Sequence, residues 1–228
     1  MNSPVYKPRI AFQGEPGAFS EDAAIELLGP DVIRSIELEP SATFETLFES
    51  IEAGRSDYIL LPVENSLIGK IRPAVELFEK SSLVVVGEVA IPIQQHLIGC
   101  PGSEFEEIET VESHPAALAQ CKRFFAAHSH ITPLEADDTA GSVARIVKRG
   151  NRKHAALAGR RAADLYGGTI IRSNLEDHPN NHTRFLLLAR ESSAKPNILS
   201  RDSVGRVIQN PDSSGSELVD PHNEERKN

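Results

Sequence analysis

The chain has 228 residues, 39% apolar and 25% charged, with a formal net charge of −9; these are the proportions of a globular protein long enough to bury a core, which excludes wholesale disorder, collagen and coiled coil. An acidic chain with 5% aromatics, no Trp and two cysteines argues against nucleic acid or anionic membrane as a partner, and without a CxxC it has neither a disulfide scaffold nor a zinc-ribbon or thiol-redox motif. The N-terminus MNSPVYKPRI has no apolar h-region and no run approaches the ~18 apolar residues of a membrane span, so a cytoplasmic protein is expected.

In chain order, RIAFQ at 9–13 reads as a strand, followed by GEPG and a helical pattern over 20–28. An apolar stripe of Phe44, Leu47, Phe48 and Ile51 predicts a helix over 43–53 that stops at Gly54. YILLPV at 58–63 is a buried strand and 71–80 another helix. The run LVVVGEVAIPI at 83–93, broken by Gly87 and Pro92, is the best candidate for a strand that leaves one lobe and enters another. Strands follow at 96–99 and 108–111, and a helix over 115–127 carries Cys121 in its apolar stripe, where a small core residue is expected. Helices over 138–149 and 160–166 bracket a strand at 155–157, and a final strand covers 183–188. Such alternation predicts an α/β fold with helices covering mainly parallel sheets. From about 194 the chain turns rich in Ser, Asn, Asp and Pro, and 195–228 is expected to be a disordered tail.

Several polar loops sit where strands meet helices. GEPGAFS at 14–20 places Ser20 to cap the next helix. Glycines that admit a close ligand and free N–H groups at a helix start suit an anion, but taken alone the loop reads first as a tight turn with a serine cap. Glu64, Asn65 and Ser66 follow a buried strand at the sheet edge where α/β proteins place ligands. Ser113 and Pro115 read as N-cap and first-turn residues of the next helix, which leaves Glu112 and His114 without a structural reason. Asp137-Asp138-Thr139 reads as a plain helix start, and His128 and His130 as solvated loop. The last cluster, DHPNNHTRF at 177–185, offers amides, an imidazole, a hydroxyl and a guanidinium. Those groups could bind a carboxylate and donate a proton, or form a surface loop with a salt bridge. No Ser-His-Asp order, HExxH or cofactor motif is present, so neither metal nor organic cofactor is expected.

Taken together, RIAFQGEPGAFSEDAA, YILLPVENSLIGKI, IPIQQHLIG, VESHPAALAQCKRF, ADDTAGSVARIV, AALAGRRAADLYGG and NNHTRFLLL resemble, in order, successive motifs of the prephenate dehydratase family from Arg9 to Arg190. The resemblance implies two α/β lobes similar to type II periplasmic binding proteins, with the active site in the cleft between them. It implies a catalytic domain over 1–194, with lobe one at about 8–86 plus 181–191 and lobe two at about 87–180. Thr183 then matches the catalytic threonine and Arg184 its neighbouring arginine. Ala18, Phe19, Ser20, Asn65, Ser66, Gln95, Ser113, His114, Asn181 and Phe185 match substrate-binding positions. Ala18 departs from the threonine common in the family, so a hydroxyl contact there is not carried over. The implied reaction is the decarboxylating dehydration of prephenate, a small dicarboxylate, to phenylpyruvate in phenylalanine biosynthesis, with a homodimer through the catalytic domain left open. Arogenate dehydratase is the close alternative, and a non-catalytic two-lobe binding module a more distant one. Family members commonly continue into an ACT domain that senses phenylalanine. The polar segment after Arg190 predicts that this module is missing.

Overall fold

In the computed structural model, which describes residues 6–193, the chain first lays down β1 (Arg9–Gln13), α1 (Phe19–Ile33), β2 (Glu37–Ser41), α2 (Phe44–Glu52) and β3 (Tyr58–Asn65). A short hairpin strand β4 (Gly69–Lys70), helix α3 (Arg72–Lys80) and the long β5 (Leu83–Pro92) follow. Then come β6 (His96–Gly99), β7 (Thr110–Ser113), α4 (Pro115–Ala119), α5 (Lys122–Ala127), β8 (Thr132–Glu135) and α6 (Thr139–Arg149). The last elements are β9 (His154–Ala158), α7 (Arg160–Tyr166), β10 (Thr169–Arg172) and β11 (His182–Arg190). The expected tail at 195–228 lies outside the described residues.

The strands make two sheets, ordered β2-β1-β3-β11-β5 with β4 on β3, and β10-β6-β9-β7-β8. The α/β class is as expected, but the sheets are mixed rather than mainly parallel. β1 runs parallel to β2 and β3, and β7 parallel to β8 and β9, while every other pair is antiparallel. The chain leaves the first sheet after Pro92 and comes back at His182, and β11 runs antiparallel between β3 and β5. An apolar run marks a strand without its direction, which is why the reversal was not visible.

β3 lacks alternation because both its faces are covered. Tyr58 and Leu60 pack towards α1 with Ile10, Phe12 and Leu187. Ile59 and Leu61 pack towards α2 and α3 with Leu47, Ile51 and Leu188. α2 starts with a reciprocal capping box between Thr43 and Thr46, and α6 ends on left-handed Gly150. The first helix begins near the expected place, and its regular turns stop at Gly29 (φ 78°), just before Pro30. β2, β8 and β10 were not foreseen. Each is a sheet edge with many exposed residues, so selection for apolar side chains is weak there.

The two halves touch through α1 and α7. Arg161 Nε donates to Asp22 Oδ1 at 2.6 Å and its Nη1 lies 3.7 Å from Glu21, while the Tyr166 hydroxyl donates to the Pro16 carbonyl at 2.8 Å. Burial pushes the Asp22 carboxyl up even though Arg161 pulls it down. Gly17 sits at φ 87°, and a Cβ there would meet the Ala162 Cα at 3.0 Å. Gly17→Ala is therefore expected to lower stability by ~1–2 kcal/mol from left-handed strain alone, with the contact against Ala162 adding to it. A denaturant midpoint equal to wild type would show that this contact is not held in solution.

Candidate active site

A cavity of about 230 Å³ opens between the sheets, and residues from seven separate segments line it. On the first-sheet side stand Gln13, Gly14 and the Ala18-Phe19-Ser20 turn, with Asn65, Thr183 and Phe185. Across from them lie Gln95, His114, Gln120 and Asp137 to Thr139. Eight of the twelve residues expected from sequence therefore line it: Ala18, Phe19, Ser20, Asn65, Gln95, His114, Thr183 and Phe185.

The other four stand elsewhere. On β11 successive side chains alternate between faces, so Thr183 and Phe185 face the cavity while Arg184 points the other way. There Arg184 lies 3.4 Å from Glu64 and 3.3 Å from Glu88, and it does not line the cavity. Ser113 is fully buried and donates to the Leu157 carbonyl at 2.6 Å. It ties β7 to β9 and does not cap α4. Ser66 donates to the Asn180 carbonyl and accepts from the His182 N–H, both at 3.0 Å, which fixes the loop after β3 to the returning chain. Asn181 is buried just behind the wall. Arg184→Lys is accordingly expected to leave KM unchanged and to shift stability by less than ~1 kcal/mol, as for half-exposed ion pairs; a several-fold rise in KM would return Arg184 to the substrate.

The corrected caps have local causes. His114, which had no structural reason in the sequence, is the N-cap of α4, its Nδ1 accepting from the Ala116 N–H at 3.1 Å. The ring proton then sits on Nε2, available as a donor. Ser20 lies inside α1, where Ala18 is the N-cap, and Ser20 donates to the Gln13 carbonyl at 2.9 Å. The Glu21 carboxylate accepts from the Gly17 N–H at 2.7 Å, so the glycine turn is braced by the helix that follows it. The Phe19 and Ser20 amides, in the first turn, have no intrahelical acceptor.

Asn65 reaches the cavity through an irregularity. Thr183 pairs with Asn65 and Arg184 with Glu64, but Phe185 pairs with Pro62, so Val63 is an extra residue in β3. Such a bulge rotates the strand beyond it, and Asn65 lands on the face of Thr183 instead of the α2 and α3 side. Its Nδ2 donates to Asn181 Oδ1 at 2.7 Å, to Thr183 Oγ1 at 3.0 Å and to the His182 carbonyl at 3.1 Å. Its Oδ1 accepts from the Leu67 and Ile68 N–H groups at 3.0 and 3.3 Å. Those two backbone donors settle which way the Asn65 amide points, and the order propagates. Asn181 Nδ2 donates to Gln120 Oε1 at 3.0 Å, and Gln95 Nε2 approaches the same oxygen at 3.4 Å.

Gln120 was not foreseen as a site residue. The expected helix over 115–127 is broken at Gln120 and Cys121 into α4 and α5. The break has a cause in the returning segment: the Asp177 carboxylate accepts from the Lys122 and Arg123 N–H groups, both at 3.0 Å, and gives α5 its own start. A polar residue between Ala119 and Cys121 in an apolar stripe was the available signal. Cys121 itself is fully buried, and burial, with Asp177 and Glu176 adding, pushes its thiol up to about 12, so it packs and does not react. His96, below the cavity, accepts from the Asn174 N–H at 3.3 Å, and burial with Arg160 nearby holds its pKa below the usual value. Among the described residues no group of three or more His, Cys, Asp or Glu is placed to hold a metal ion, and no helix is long and apolar enough to cross a membrane.

Comparison with known proteins agrees with this geometry. The chain is 40% identical over 185 residues to the protein named Arogenate dehydratase/prephenate dehydratase 1, chloroplastic, of Arabidopsis thaliana, covering 81% of this chain and 46% of that one. It thus spans less than half the length of this relative. Among solved structures, the prephenate dehydratase of Arthrobacter aurescens in complex with L-Phe superposes with a TM-score of 0.71 at 25% identity, over 80% of this chain and 60% of that one. A structure described as GqqA, a novel type of quorum quenching acylase, gives 0.69 at 32% identity, over 80% of this chain and 64% of that one. The family model for prephenate dehydratase matches residues 10–193, nearly all of the described region, and the chain belongs to the prephenate dehydratase family.

Proposed function

We propose that this domain removes the ring carboxylate and ring hydroxyl of prephenate, or of its amino-acid analogue arogenate, as carbon dioxide and water. The products are phenylpyruvate or phenylalanine. The observation that carries the proposal is the Thr183 hydroxyl. Its oxygen accepts from Asn65 Nδ2 at 3.0 Å, so its own proton is directed elsewhere, and it lines the cavity. As the carbon–carboxylate bond breaks, its electron pair moves through the ring and expels the hydroxyl, on which negative charge develops. A donor held at that oxygen stabilises the transition state more than the ground state, and the hydrogen bond from Asn65 polarises the Thr183 O–H in the helpful direction.

Carboxylates of the substrate are supplied with neutral donors. The Phe19 and Ser20 amides at the positive end of α1 suit one, and the Nε2–H of His114 faces the same space. Aromatisation supplies the driving force, so orientation and one hydrogen bond suffice without a cofactor. The net charge of −9 argues against nucleic acid or an anionic membrane as a partner, and a small acid is held by the local donors of the cavity despite it. The proposal extends to a cytoplasmic location and a homodimer through the catalytic domain, whereas several relatives carry names that place those proteins in chloroplasts. The test is formation of phenylpyruvate from prephenate and of phenylalanine from arogenate by the purified chain. Rates equal to the uncatalysed background on both substrates overturn the proposal.

A further inference from the structure

We infer that Asp137 sets which acid the cavity prefers, by pairing with the ammonium group of L-arogenate, so that this site favours the amino acid over the keto acid. This rests on the reaction proposed above and adds the substrate to it. Prephenate and arogenate share the ring, its carboxylate and its hydroxyl. They differ at one side-chain position, where prephenate has a carbonyl oxygen that only accepts, and arogenate an ammonium with three donors and a positive charge.

The cavity wall is matched to the second. Two carboxylates, Asp137 and Asp138, line it, and no Lys or Arg does. Asp138 is committed to the protein: it caps α6 through the Gly141 N–H and lies 3.8 Å from Arg145. Asp137, the residue before that cap, has no hydrogen bond or ion pair among the described residues and is exposed to the cavity.

An acidic residue beside a helix start does not by itself imply a ligand. The independent observation is Gln95, 2% exposed, whose Oε1 lacks any partner and which lines the same cavity. Its orientation follows from the ordered amides. The Leu67 and Ile68 N–H groups fix Asn65, Asn65 fixes Asn181, and Asn181 fixes Gln120 with Oε1 towards Gln95. Gln95 then turns its Nε2 to Gln120, which leaves its own Oε1 buried without a donor in a residue of the cavity wall. A buried acceptor with no donor is costly. The prephenate dianion has one donor, the ring hydroxyl, for two open acceptors. An ammonium brings three more and neutralises the one uncommitted carboxylate.

The experiment compares kcat/KM for L-arogenate and prephenate in the full chain and in Asp137→Asn, a substitution of equal size at an exposed position. The expected result is a wild type that favours arogenate and a variant in which the arogenate-to-prephenate ratio falls ~10-fold or more, through KM for arogenate. Equal losses on both substrates, or an unchanged ratio, overturn the assignment of Asp137 while leaving the dehydratase activity in place. A wild type that favours prephenate overturns it as well. A wild type inactive on both overturns the reaction itself and this inference with it.

Discussion

Thr183→Ala is expected to lower turnover by ~10²-fold or more with little change in product binding. The cavity offers one hydroxyl whose oxygen is already engaged by a side-chain amide and whose proton is free for the leaving group. Removing a donor that acts mainly on developing charge costs on the order of 10²–10³ in rate in other enzymes. The substituted side chain is small and 7% exposed, so the fold should persist. Thr183→Ser keeps the hydroxyl and should recover most of the rate, which separates loss of the donor from loss of packing. Near wild-type turnover in Thr183→Ala would remove this residue from the chemistry.

The second large effect is expected at Asn65, where one buried side chain satisfies five groups. Asn65→Ala leaves two backbone donors and three acceptors without that partner. At ~1–3 kcal/mol for each group that stays buried and unpaired, and allowing for water reaching some of them, a stability loss of ~3 kcal/mol is reasonable. That corresponds to a fall in Tm on the order of 10 °C. Turnover should fall with it, because Thr183 loses the neighbour that orients its proton. Asn65→Asp is the sharper variant: it keeps an acceptor for the Leu67 and Ile68 amides but turns a carboxylate oxygen towards three other acceptors. Its turnover should be no better than that of the alanine variant. Calorimetry and initial rates on both variants decide this, and a fully active Asn65→Asp would show that the network does not polarise Thr183.

What could be read in advance follows from physics that is local. Buried runs such as YILLPV, the stripe from Phe44 to Ile51 and the cap at Asp138 are set by neighbours in sequence, and they were legible. The loops carrying Ser20, Asn65 and Thr183 were legible as polar clusters at strand ends, while their roles came from resemblance. What failed depends on distant partners. The extra residue at Val63 has meaning only opposite Arg184 and Phe185, more than a hundred positions later. The break that exposes Gln120 is imposed by Asp177. Arg184 was matched through resemblance to the arginine next to the family's threonine, and neighbours in a strand face opposite sides, so it lies between Glu64 and Glu88.

The position of β11 bears on how the chain comes to be folded during synthesis. β3 and β5 flank a gap that only residues 182–190 fill, with Thr183 against Asn65 on one side and His182 against Pro92 on the other. Until that strand leaves the ribosome, both inner edges of the first sheet lack their partner, and Leu60 and Leu61 have no Leu187 and Leu186 beside them. The intervening segment carries the whole second sheet and has its own core around Leu97, Val111 and Leu157. Order of emergence therefore favours the second half of the fold forming first, although it is encoded later, with everything up to Pro92 waiting in a partly open state. Such long-range closure is slow, and unpaired inner strands are sites for wrong partners. The strand that carries Thr183 is thus also the last strand of the described residues, so the Thr183 hydroxyl enters its amide network in the same event that closes the sheet.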